Sequence, residues 1–250
     1  MKTSSYKKTG HYKRSVPRIG LDTVLTFLLT KCTLLSRAFF SIDGFLFPQE
    51  GAFLHKISKK SPLEGPVIEI GSMNGLSTVC IAAGLNSRSR DEQLYSIDPH
   101  LYGTEKNLKR NLEKFKVSDR VEILTSKSSE IVKNWNNPQP RMVFIDGSHQ
   151  VLDVMEDYLT WLSKLKPGGF ILLHDSTDLS SLPGPHFVAK TRILNDGNFE
   201  ARGSIGSITW AKKRGGNDHW SPKVFGAAVT DCMFSMLKRW VKSDVTQKKS

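Results

Sequence analysis

Cysteine is scarce in this chain. The three in 250 residues, Cys32, Cys80 and Cys232, lie far apart in sequence. That spacing excludes a disulfide framework, a cysteine-rich zinc site and a dithiol redox pair, and it fits a reducing, cytoplasmic compartment. Acidic residues are also in short supply, 24 against 36 Lys and Arg, for a formal charge of +12. The imbalance sits at the ends. Residues 1–20 carry Lys2, Lys7, Lys8, Lys13, Arg14 and Arg18 with no acid (+6), and residues 235–250 carry five basic residues against Asp244 (+4), which leaves +2 for the body. Basic tails are by default solvated, so a dedicated nucleic-acid surface is disfavoured. Contact with an anionic membrane surface or an acidic polymer falls to the tails. No long apolar run is present either. Leu21 to Phe40 is interrupted by Asp22, Lys31, Arg37 and four threonines, which makes it a poor transmembrane span. No small-residue cleavage site follows it, as a signal peptide would need. Two nucleotide fingerprints are missing as well. A dinucleotide motif starting at Gly71 needs glycine where Met73 and Leu76 stand, and a phosphate loop needs Gly-Lys where Leu76 and Ser77 stand.

What is present is a buried-strand pattern that breaks into a glycine turn: Pro66-Val67-Ile68-Glu69-Ile70-Gly71-Ser72-Met73-Asn74-Gly75-Leu76-Ser77. Gly71 permits a sharp turn, Gly75 opens a helix, and a helix N-terminus favours negative charge. A second apolar run, Gln93 to Ile97, ends on Asp98, an acid placed to accept ribose hydroxyls or to cap its turn. Val121 to Thr125 leads into Ser126, Lys127 and Ser128. Arg141 to Ile145 ends in Asp146-Gly147-Ser148-His149, and Gly168 to Leu173 ends in His174-Asp175. Neighbouring parallel strands open into one crevice at their C-terminal ends, so Asp146, His149, His174 and Asp175 are expected to converge there.

Strands are expected near 67–71, 94–98, 121–125, 142–146, 169–174, 198–202 and 206–211, with helices between them. This α/β alternation predicts a doubly wound, mostly parallel sheet covered on both faces. Over 151–166 the spacing of Leu152, Met155, Leu159, Leu162 and Leu165 predicts a helix lying on that sheet by its leucine face. A helix over 21–40 is expected to pack on the domain or on a second subunit, which allows a homodimer. Phe225, Val229, Cys232, Met233, Met236 and Trp240 have helical spacing, suited to core cover, a dimer contact or a membrane-surface helix. The division expected is a basic tail (1–20), a helical cap or lid (21–62), a cofactor-binding domain (63–214), and a C-terminal helix with a basic tail (215–250).

Glu-x-Gly-x-x-x-Gly followed by the strand-ending Asp98 resembles the class I S-adenosylmethionine (SAM) dependent methyltransferases. Ile145 to His149, then Leu165-Lys166-Pro167-Gly168-Gly169, then His174-Asp175 resembles the branch of sugar and macrolide O-methyltransferases and, more distantly, the catechol O-methyltransferases. The resemblance covers roughly residues 46–212. It implies a Rossmann-like sheet of seven strands, one of them antiparallel, and methyl transfer from SAM to a hydroxyl of a sugar, glycoconjugate or small natural product. It implies that Glu69, Gly71, Ser72, Asn74, Gly75 and Ser77 hold the methionine end of SAM or its turn. Asp98 would take the ribose, Ser128 would lie by adenine, and Asp146 would face both cofactor and metal. His149 would be the base, acting with Asp146. Asp146, His174 and Asp175 would ligate a divalent cation. The family has two adjacent oxygen ligands where this chain has His174-Asp175, so Mg²⁺, Mn²⁺, another transition metal and no metal all stay open. Same-fold oxidation, N-methylation and a non-catalytic binding module are the alternatives. The segment with Phe45, Phe47, Glu50 and Phe53 is read as a lid, and Ser176 to Phe187 as one wall of the acceptor pocket.

Overall fold

A computed structural model describes residues 33–88, 91–177, 183–194 and 196–215. The two tails and the periodic segment from Phe225 to Trp240 lie outside the described residues. Two helices, α1 (Thr33–Ser41) and α2 (Pro48–Lys60), precede the first strand. The elements then run β1 (Val67–Ile70), α3 (Leu76–Asn86), β2 (Leu94–Ile97), α4 (Glu105–Lys114), β3 (Val121–Leu124), α5 (Ser128–Lys133), β4 (Met142–Ile145), α6 (Val151–Lys164) and β5 (Phe170–Leu173). A short α7 (Pro183–Val188), continuing as a π-helical turn over Ala189–Ile193, leads to β6 (Phe199–Ile205) and β7 (Ile208–Lys213).

The seven strands form one sheet in the order β3-β2-β1-β4-β5-β7-β6. β1 to β5 pair in parallel, and β7 lies antiparallel to both β5 and β6. This is the Rossmann-like arrangement expected, with one reversed strand. Alternate residues of each strand go to opposite faces. Val67, Leu94, Met142, Phe144, Phe170 and Leu172 pack with α1 to α4. Ile68, Ile97, Val143, Ile145, Ile171 and Leu173 pack with α5, α6, α7 and the π-turn. Helix α3 is buried on every side from Leu76 to Leu85, Cys80 included, because α1 and α2 cover the face the sheet does not.

Helix α6 departs from the leucine-face expectation. Its sheet side is Val154, Tyr158, Trp161 and Leu165, whereas Leu152 and Leu159 are exposed and Met155 and Leu162 half-buried. Both larger aromatics sit on the face that meets the sheet and the neighbouring helices, and the leucines line its flank.

A buried ionic knot ties α2 to the N-terminal edge of the sheet. Arg141, fully buried at the start of β4, meets Glu92 through Nε and Nη2 (both 3.2 Å) and donates to the Ser58 carbonyl (2.8 Å). Arg88 pairs with Glu92 at 2.6 Å and donates to the carbonyls of Lys59, Ser61 and Leu63. Among the described residues, no helix is long and apolar enough to cross a membrane.

Candidate active site

The C-terminal ends of β1, β2 and β4, with α5 and α6 beside them, open into a cleft of about 1160 Å³. Ligand pockets usually measure roughly 300–1,000 Å³, so this one has room for a nucleoside cofactor and a second molecule. Gly71, Ser72, Asn74, Ser77, Asp98, Ser128, Asp146, His149 and Asp175 all line it.

The glycine turn is shaped by the neighbouring strand. Gly71 has φ +87, and a Cβ there would stand 2.1 Å from the Asp146 carbonyl oxygen. Gly75 has φ +91 and caps α3. Asp98 clamps the turn. Its Oδ2 accepts from the Ser72 and Met73 amides (both 2.9 Å) and its Oδ1 from the His100 amide (2.7 Å). With three bonds already made, the carboxylate has about one lone-pair site left for a ribose hydroxyl, not the two expected. Asn74 is occupied in holding the turn to its surroundings. It donates to the Asp43 carbonyl and accepts from Asn107, while its own carbonyl accepts from Asn111.

Glu69 lies behind the turn and does not line the cleft. Its Oε2 accepts from Thr78 Oγ1 (2.6 Å) and Ser96 Oγ (3.2 Å), and Oε1 has no partner of good geometry. Complete burial raises its pKa to about 7, against the hydroxyls of Ser77, Thr78 and Ser96. Ser72 Oγ is also buried without a partner. An unfilled hydroxyl at Ser72, in the cleft wall beside a turn that admits no Cβ, fits a polar ligand such as the amino-acid end of SAM.

At the far side of the cleft Asp146, His149 and Asp175 each offer an atom, all within 4.8 Å of one another. His149 Nε2 stands 3.2 Å from Asp175 Oδ2. His149 is fixed from behind by α7, since the Gly184 amide donates to the His149 carbonyl and no Cβ fits at Gly184. Asp175 turns into the cleft through a left-handed backbone (φ 51), which an aspartate tolerates.

The fourth residue expected here is elsewhere. His174 is buried, with Nδ1 2.9 Å from Asp146 Oδ1 and Nε2 3.1 Å from Glu50 Oε2. Burial by itself would lower its pKa, but Asp146, Asp175 and Glu50 push it up to about 12. With both ring nitrogens turned to the carboxylates of Asp146 and Glu50, His174 lies beneath the cluster, and among the described residues it is His149 that converges with Asp146 and Asp175. Against the opposing effect of burial, the two histidines hold Asp175 well below the usual carboxylate range.

Several functional neighbours carried little sequence signal. Glu50 Oε1 accepts from the Ser207 amide (2.6 Å) and hydroxyl (2.9 Å), and Oε2 from the Phe47 amide (2.7 Å) as well as facing His174. Only its place two residues after Pro48, the first residue of a helix, hinted at a capping role. Of the expected lid, Phe45 and Phe47 do line the cleft, whereas Phe53 is core. Of the acceptor wall expected over 176–187, no described residue lines the cleft, and 178–182 lie outside the described residues. The apolar rim is instead Phe45, Phe47, Met73, Leu101 and Tyr102. His55 is half-buried and His100 buried, both away from it, and His186 bonds the Ser176 carbonyl.

Residues 68–176 match the family described as methyltransferase domain. Among solved structures, the fold resembles the O-methyltransferase TomG from Streptomyces achromogenes in complex with SAM, at 18% identity over 74% of this chain and 91% of that one (TM-score 0.57). It also resembles an O-methyltransferase from Bacillus cereus in complex with SAH, at 18% identity over 76% and 98% (TM-score 0.58). The O-methyltransferase NovP is similar at 11% identity over 77% and 99% (TM-score 0.59). Glycine turn, clamping acid and sheet order agree with that match: residues 68–176 are similar to the methyltransferase-domain family, on a fold shared with these solved O-methyltransferases.

Proposed function

We propose that this protein transfers the methyl group of SAM to a hydroxyl of a sugar, glycoconjugate or small natural product. The observation that carries the reading is the His149–Asp175 pair beside Asp146, in a cleft with room for a cofactor and an acceptor together. An alkyl hydroxyl is a weak nucleophile at neutral pH and gains from losing its proton as it attacks. Asp175, held ionised, accepts a hydrogen bond from His149 Nε2–H and so leaves Nδ1 as the basic nitrogen. The acceptor proton moves to His149 Nδ1, and Asp175 stabilises the imidazolium that forms. His174 below holds Asp146 in place. The rim of Phe45, Phe47, Met73, Leu101 and Tyr102 offers an apolar surface to the body of the acceptor, which suits a natural product or the C–H face of a sugar. Bound SAM supplies a methyl group already activated by its sulfonium.

A second reading has its own support. Asp146, His149 and Asp175 have the size and the mixed oxygen and nitrogen donors of a divalent-cation site, better matched to Mn²⁺ than to Mg²⁺. A cation held there would orient and acidify the acceptor hydroxyl, with His149 as ligand in place of base.

The first experiment is calorimetry of the full chain with SAH. Micromolar or tighter binding is expected, and a chain that ignores SAH is not a methyltransferase of this kind. Transfer of labelled methyl to a panel of hydroxylated sugars and phenolic natural products then finds the acceptor. With it, His149→Ala should lower kcat by about 10²- to 10⁴-fold and leave SAH affinity within a few-fold. Excess chelator separates the two readings, since activity that survives it belongs to the base, and activity restored only by Mn²⁺ to the metal.

A further inference from the structure

Helix α6 carries a second apolar stripe besides the one it lays on the sheet. Leu162, Leu159 and Met155 succeed one another at steps of three and four residues, on the flank opposite Asp157 and the cleft. They are covered only in part, Leu159 being exposed and the other two half-buried. Beside α6, the packed α7 and π-turn leave Phe187 and Leu194 in solvent as well. The sheet-facing side of α6 is already filled, so this stripe lacks a neighbour among the described residues.

The chain leaves the described fold at one end of that stripe. Lys213, the last residue of β7, donates from Nζ to the carbonyls of Leu162 (2.9 Å) and Leu165 (2.7 Å). A Cβ on Gly215 would stand 3.5 Å from Pro167, just past the end of α6. The link over 216–224 spans up to roughly 30 Å when extended, enough to turn the chain back onto the helix. Beyond it lies the periodic apolar segment. Val229, Cys232 and Met236 step by three and then four residues, the intervals of Leu162, Leu159 and Met155 taken in the opposite direction along the chain. A helix over 225–240 that runs back along α6 therefore sets Val229 on Leu162, Cys232 on Leu159 and Met236 on Met155. The next step, to Leu152, mirrors onto Arg239, and the apolar contact stops there. Charge favours the same direction. Lys238, Arg239 and Lys242 reach the end of α6 that holds Asp153 and Glu156, whereas a parallel helix would bring them to Lys164 and Lys166.

We propose that residues 225–240 form a helix lying antiparallel along the outer flank of α6, where Val229, Cys232 and Met236 cover the stripe. The basic residues that follow are thereby tied to the domain at the acidic end of α6.

The test crosslinks the full chain. Cys80 is buried in the core and Cys32 is removed as Cys32→Ser, which leaves Cys232 as the native thiol to be captured. Into this background Leu159→Cys is introduced, with Lys109→Cys, an exposed position on α4, as the control. Packed helices lie about 8–10 Å apart, within reach of a short bismaleimide. Peptide mass spectrometry of the monomer should find Leu159→Cys joined to Cys232 at least about 10-fold faster than Lys109→Cys, because docking raises the local concentration of the two thiols. Adding Met236→Asp, which sets a charge against Met155, should slow the crosslink by at least about 10-fold. Should Leu159→Cys fail to fold, Met155→Cys repeats the measurement one turn along. Equal rates for the stripe and the control overturn the proposal, as does a rate indifferent to Met236→Asp. Crosslinks between two chains in place of the internal one also overturn it, since they give the stripe to a second copy.

Discussion

Glu69 is the residue whose chemistry departs most from its sequence appearance. A carboxyl with a pKa raised to about 7 by burial is favoured in its neutral form. Relative to Glu69→Gln, the wild type keeps its full stability below about pH 4.5, loses it as the pH rises through about 7, and stays lower above that. The difference should amount to on the order of 3 kcal/mol, read from urea unfolding of both proteins across pH 4 to 8. A gap that does not move with pH would mean the carboxyl is solvated. At Gly71 any side chain meets the Asp146 carbonyl, so Gly71→Ala is expected to lower Tm and to weaken SAH binding at least tenfold together. The convergence of Asp146, His149 and Asp175 was legible because acids at the ends of adjacent parallel strands share a crevice. The fate of His174 was not. Successive residues leaving a strand point to opposite faces, so His174 follows Leu172 into the core side, toward Glu50, while Asp175 goes to the cleft. Sequence adjacency hid that separation.

Among the elements, strands were legible to within a residue or two for β1 to β5 because a parallel sheet buried on both faces needs uninterrupted apolar runs. Helix α6 shows where such reading stops. Leucine spacing found the helix but not its buried face, since the half-buried Met155 and Leu162 and the exposed Leu152 and Leu159 are apolar too. Trp161→Ala should therefore cost about 3–5 kcal/mol, and Leu152→Ala should stay within about 0.5 kcal/mol, by chemical denaturation. The reverse ranking would restore the leucine face. The knot of Arg88, Glu92 and Arg141 was illegible because Arg141 reaches the other two from a strand 49 residues beyond Glu92. Removing one partner leaves buried charge uncompensated, so Glu92→Ala is expected to destabilise by about 3–5 kcal/mol.

For the molecule as a whole, a ligand that binds only the folded chain must stabilise all of it. SAH at 100 times its Kd should add about 2.7 kcal/mol to the unfolding free energy. The charge excess at the two ends, outside the described residues, makes a separate prediction. Deleting residues 1–20 removes +6, and should weaken binding to anionic vesicles at low salt without altering SAH affinity. Helices α1 and α2 share one core with the sheet, through Leu35, Leu54 and Ile57. The buried Glu50 carboxylate extends that union to polar groups. It is satisfied only once Phe47, His174 and Ser207, from the beginning, middle and end of the described chain, have all arrived. An incompletely folded molecule leaves the buried Glu50 carboxyl short of partners, and a version cut back to residue 68 leaves His174 Nε2 without its Glu50 partner. The floor of the cleft is therefore complete only when all three are in place, so partial folds of this protein should be inert, not weakly active.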